Sequence, residues 1–141
     1  MHVGRICPAR RSARRRGGAA AELALIGPAL LFILVAGTDF ARVFYCFVTI
    51  TSCARNGALY GCQDTARSTD TTGIRTAARA DAGSLSSLPG VSSSTSTAGG
   101  NPYVSVTVTY TFTTLITYPG IPNTVLLSRT VQMRVVQNTP N

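Results

Sequence analysis

The chain has 141 residues and a formal net charge of +8, all thirteen of its basic residues being arginine. That length holds one small domain beside an apolar segment rather than two globular domains. Six arginines (Arg5, Arg10, Arg11, Arg14, Arg15 and Arg16) precede the first apolar run, and from Asp39 onward seven arginines stand against four aspartates. The basic character is therefore that of a leader, and the pattern of a nucleic-acid-binding face, arginines clustered on a folded domain among aromatics, is missing.

The leader, residues 1–17, ends at the pair Gly17-Gly18, and between Glu22 and Asp39 no charged side chain occurs. A helix crossing a bilayer takes roughly 20 predominantly apolar residues, and Ala19 to Thr38 supplies that length with Glu22 near the headgroups. Arginines before the run and none after it until Arg42 orient the N-terminus to the cytoplasm and the remainder outward. A secretory signal shares the basic start, the apolar middle and a small-residue stretch such as "VAG". Against it, "FARVFYCFVTITSCARNGALYG" continues the helical pattern, with Phe40, Phe44, Phe47, Thr51, Ala54 and Ala58 sharing a face, so a cut near Gly37 would fall inside one helix.

Within that helix Pro28 removes the hydrogen bond to Ala24 and favours a kink. Asp39 and Arg42, three residues apart, can pair where the helix leaves the membrane. A helix over Ala19–Leu59 extends roughly 60 Å, longer than a bilayer requires, so its outer half presents a face to the external domain or to other subunits. The domain pattern is thus 1–17 leader, 18–60 spanning and projecting helix, and 61–141 external domain.

Gly57 and Gly61 flank "ALY", and "GCQDT" reads as the helix end and a turn. A second, shorter helix follows, with Ile74, Ala77, Ala78 and Leu85 at helical intervals and Thr69 or Asp70 as its N-cap. "SLSSLPGVSSSTSTAGGNP" reads as a loop holding a weak strand from Val91 to Thr97. In "YVSVTVTYTF" the period changes to two, placing Val104, Val106, Val108, Tyr110 and Phe112 on one face. After a loop with Pro119 and Pro122, "NTVLLSRTVQMRVVQ" places Leu127, Val131, Met133 and Val135 together. The economical fold is α+β: the long N-terminal helix, a second helix, and a two- or three-stranded antiparallel sheet lying against a helix.

Cys7 falls in the leader, leaving Cys46, Cys53 and Cys62, so at least one thiol stays free or pairs between chains. Cys46 and Cys53 lie about 10 Å apart along a helix, beyond disulfide reach; Cys53 and Cys62 can meet only if the chain turns near Gly57 or Gly61. The single histidine, His2, also precedes the apolar run, which argues against a metal site, and no nucleophile–base pair or phosphate-binding loop is recognisable. No enzyme activity and no cofactor are expected.

Glu22 remains. A carboxylate in a spanning segment costs about 2.5–3.5 kcal/mol near the bilayer centre and less toward its edge, so it takes a partner. Pairing with Arg15 or Arg16, or a place in the headgroup layer at the positive end of the helix dipole, is one reading. The other comes from the order of motifs. A basic leader, a glycine, four residues, a glutamate and an apolar helix, "RRRGGAAAELAL", resembles the type IV prepilin pattern. "GGAAAELALIGPALLFILVAGTDFARVFY" followed by "ARNGALYG" more narrowly resembles the TadE-like minor pseudopilins of tight-adherence (Flp, type IVb) pilus systems, over about Gly17 to Gly61.

That resemblance implies cleavage between Gly17 and Gly18 by a prepilin peptidase, and an α-amino group at Gly18 within a turn of Glu22, making Glu22 an assembly contact. It also implies a minor pilin-like subunit in the inner membrane that serves a pilus or its secretion machine. The partners it implies are the prepilin peptidase, other minor pseudopilins, the major Flp-type pilin, inner-membrane platform proteins and membrane lipid, with no nucleic acid. The alternative is an uncleaved single-pass anchor with a ligand-binding external domain.

Overall fold

A computed structural model describes residues 16–115, 120 and 122–137; the leader arginines before Arg16, together with His2, Cys7 and Pro119, lie outside the described residues. Helix α1 runs Arg16–Gly61, followed by α2 (Thr65–Thr69), α3 (Thr71–Arg79) and a single 3₁₀ turn at Ala82–Ser84. Three strands, β1 (Gly90–Ala98), β2 (Asn101–Thr113) and β3 (Thr124–Arg134), form an antiparallel sheet in the order β1-β2-β3. The architecture is α+β with one helix long and apolar enough to cross a membrane. Contacts divide the chain into two units, residues 1–38 and 39–141.

Among the described residues the first unit is largely uncovered. Its leucines and isoleucines between positions 23 and 34 are 51–82% exposed, an arrangement whose cost in water, about 25 cal/mol per Å² of apolar surface, disappears in lipid. Helix α1 is unbroken through Pro28. The Thr38 hydroxyl donates to the Leu34 carbonyl at 2.9 Å, which lets a polar side chain sit at the end of an apolar segment without an unmet hydrogen bond.

The second unit is built around the alternating strand. Val104, Val106, Val108, Tyr110 and Phe112 are buried on one face of β2, the set the period-two pattern predicts. Leu127, Val131 and Met133 of β3 pack half-buried beside them, and Val135 is buried. The opposite face is polar, with a cross-strand hydrogen bond of 2.8 Å between the Thr107 and Thr130 hydroxyls. Being central, β2 pairs on both edges: Val106 opposes Ser93 of β1 and Val131 of β3.

The outer half of α1 covers the buried face, but through other residues than its aromatics. Asp39, Ile50, Cys53, Ala54 and Ala58 are buried, whereas Phe40 and Phe44 are 74% and 62% exposed. The face shared by Phe40, Phe44, Phe47, Thr51, Ala54 and Ala58 is thus only partly inward: Ala54 and Ala58 make the contact, together with Ile50 and Cys53. A Cβ added at Gly57 would lie 3.1 Å from both Ala78 Cβ and Val106 Cγ1, and one at Gly61 would lie 3.0 Å from Val104 Cγ2. Glycine at these two positions is what allows the helix so near the sheet.

Two further differences from the sequence-based reading have local causes. The second helix is split at Asp70, whose backbone ends α2 and whose carboxylate caps α3; Leu85 lies beyond α3, after the 3₁₀ turn. The weak strand is a full one, Gly90–Ala98, joined to β2 by Gly99 and Gly100 with φ of +58° and +79°. Ala98 pairs with Asn101, so this is a two-residue hairpin with both turn residues at positive φ, the arrangement that favours glycine.

Candidate functional site

The residues singled out from the sequence occupy two separate places, one in each unit. Gly17 and Gly18 lie in the first turn of α1, and nothing within 4 Å would meet a Cβ at either. A peptidase reading the chain in extended form would have to unwind this turn, which glycine, the weakest helix former after proline, resists least. One turn on, Glu22 is exposed and makes no ion pair or side-chain hydrogen bond among the described residues. Arg15 lies outside those residues.

Asp39 is the opposite case. It is only 5% exposed, and its Oδ1 accepts from Arg42 Nη1 at 3.2 Å. Both carboxylate oxygens also accept the backbone N–H of Leu115, at 3.1 and 3.2 Å. Arg42 continues the node by lying over the Phe112 ring, 5.2 Å from its centroid, where the guanidinium meets the negative face of the π system. One carboxylate therefore fastens the end of β2 to α1 across 76 positions of sequence. The Leu115 partner has no signature in the sequence, because a backbone N–H carries no side-chain code.

The remaining carboxylates hold structure. Asp64 caps α2 through the Arg67 N–H at 2.6 Å, and Asp70 caps α3 through the Gly73 N–H at 2.9 Å. The Tyr60 hydroxyl donates to Asp70 Oδ2 at 3.0 Å, and Asn56 donates to Asp81. The Gly73 N–H and then the Tyr60 hydroxyl hold the Asp70 carboxyl below its ordinary value of 3.8, while the same bond pushes the Tyr60 phenol up.

A group whose folded pKa is depressed stabilises the fold above its unfolded value and loses that contribution as pH falls through the folded one. Acidification below about pH 4, the ordinary aspartate range, should therefore loosen the contact of α3 with the end of α1. Asp70→Asn should show a smaller loss over the same window. Tyrosine near-ultraviolet dichroism of the full chain in detergent measures this, and equal acid sensitivity in both proteins would remove Asp70 as the cause.

Cys46, Cys53 and Cys62 are free thiols. Burial pushes the Cys53 thiol above 9.0, and Asp81 adds to that shift, which leaves it protonated and a poor nucleophile at neutral pH. Among the described residues no three His, Cys, Asp or Glu side chains converge in a way that would hold a metal ion. What the geometry offers is an apolar helix with one carboxylate near its start, and a small domain clamped to that helix's continuation.

Residues 17–59 match the model of the TadE-like protein family. Neither the curated proteins nor the solved structures contain a match to the chain.

Proposed function

From the TadE-like segment at residues 17–59, which associates the chain with tight-adherence pili, we propose that it is a minor pilin-like subunit. In this reading it is held in the inner membrane by residues 19–38, with its N-terminus in the cytoplasm and residues 39–141 outside. A prepilin peptidase removes the leader between Gly17 and Gly18, and the processed subunit joins other pseudopilins, the major Flp-type pilin and the platform proteins. Supporting it is one observation above others: Glu22 is exposed at the start of an apolar helical segment whose leucines and isoleucines between positions 23 and 34 are likewise exposed.

An exposed carboxylate at the edge of a bilayer needs a cation. Cleavage would remove the leader arginines and supply an α-amino group one turn away, on the same subunit or on a neighbour, so helices that pack in the membrane would neutralise Glu22. The residue would then select for processed subunits in register. It acts in assembly and has no part in proteolysis.

N-terminal analysis of the protein from its native host tests the first half: a mature chain starting at Gly18 supports the reading, and an intact leader favours the uncleaved anchor. Glu22→Ala tests the second. Processing should persist while co-isolation with pilus components falls by about tenfold or more, the loss expected when a buried charge pair loses one partner at about 1.4 kcal/mol per decade. Undiminished co-isolation would refute the assembly role.

A further inference from the structure

The outer unit exposes apolar side chains at the end where α1 enters it. Phe40 and Phe44 stand one turn apart on α1, at 74% and 62% exposure. Leu115, 61% exposed, is fixed to the same end by its N–H bonds to Asp39. At the other end of the unit Val136 donates its N–H to the Cys62 carbonyl, 23 residues along the chain from Asp39, and is 56% exposed as well, so exposure alone does not single out the first end.

We propose that this end of the domain is a second membrane contact, with Phe40, Phe44 and Leu115 seated in the lipid headgroup layer of the leaflet from which α1 emerges. The inference rests on the anchor reading of residues 19–38. Helical rise is about 1.5 Å per residue, so Phe40 and Phe44 follow Thr38 by about 3 and 9 Å along the axis. The headgroup region adds roughly 5–8 Å on each side of the hydrocarbon, which places Phe40 inside it; the Phe44 backbone lies just beyond, and its ring, which a helix directs toward its own N-terminus, falls back into the layer. Leu115 shares the level of Asp39.

Charge agrees with that placement. Among the described residues the only carboxylate at this level, Asp39, is buried and spent on Arg42 and the Leu115 N–H, while the Arg42 side chain remains 44% exposed. The surface turned to the headgroups therefore shows apolar groups and a guanidinium suited to lipid phosphate, with its negative charge withdrawn. Aromatic side chains at such a boundary bury their rings at modest cost.

The chain contains no tryptophan, so single tryptophans report position without background. Leu115→Trp and Phe44→Trp, with Leu30→Trp for the spanning segment and Val136→Trp for the far end, are reconstituted as full chains. The vesicles are phosphatidylethanolamine and phosphatidylglycerol, with or without lipid brominated near the headgroup end of the acyl chain. Emission from positions 115 and 44 should shift to the blue and be largely quenched by brominated lipid, with position 136 unaffected.

If position 30 is quenched while 115 and 44 emit as in water, the second contact is refuted and the anchor stands. Blue-shifted but unquenched emission at 115 and 44 means that protein covers them, and also refutes it. An unquenched position 30 overturns the anchor reading itself, and the inference with it.

Discussion

Replacing Asp39 with alanine is expected to destabilise the outer unit by about 1.5–3 kcal/mol, the usual net worth of a hydrogen bond to a charged group. The donor stranded is the Leu115 N–H, which finds both carboxylate oxygens in the native structure. Arg42 contributes less to the loss: its side chain is 44% exposed and can be rehydrated. Asp39→Asn should fall between the two proteins, because it keeps one acceptor oxygen but gives up the charge. Urea unfolding of the full chain in detergent, followed by tyrosine dichroism, gives the difference. Hydrogen exchange at the Leu115 amide locates it, and an alanine variant with native stability and native protection there would show that Asp39 does not hold β2.

The contrast between the two partners of Asp39 explains how far the sequence could be read. Arg42 is three residues away on the same helix, where spacing alone brings side chains together. Leu115 is 76 positions distant and engages through its backbone, so no residue type announces it. The same distinction runs through the fold. Alternation in β2 was legible because one face is buried and one is polar, a period-two signal that survives in any context. The hairpin at Gly99-Gly100 was obscured by serine and threonine, although paired glycines between strand-forming residues are its usual mark. On α1 helical spacing puts Phe40, Phe44, Phe47, Thr51, Ala54 and Ala58 on one face, and spacing does not reveal that of these only Ala54 and Ala58 are buried, beside Ile50 and Cys53.

Gly57→Leu follows from that close contact and is expected to cost about 3 kcal/mol or more, at or above the usual range for overpacking a filled core. Two effects oppose each other when a helical glycine is replaced. Intrinsic propensity favours the change by about 1 kcal/mol, but a Cβ at position 57 would sit 3.1 Å from Ala78 Cβ and Val106 Cγ1 and 3.3 Å from the Ile74 carbonyl oxygen. Two of those three atoms are a backbone oxygen and a Cβ, neither of which moves without its helix. The remaining atoms of leucine would need space between α1, α3 and β2, so packing outweighs propensity.

Gly57→Ala supplies the comparison within the outer unit, since it takes the propensity gain while adding only the Cβ, whose nearest neighbours at 3.1–3.3 Å need give by a few tenths of an ångström. Unfolding the outer unit in both variants separates the terms. Loss in Gly57→Leu alone fits a helix seated on its smallest residues, whereas equal stability in the two would mean that α1 and the sheet stand farther apart than the distances at Gly57 require.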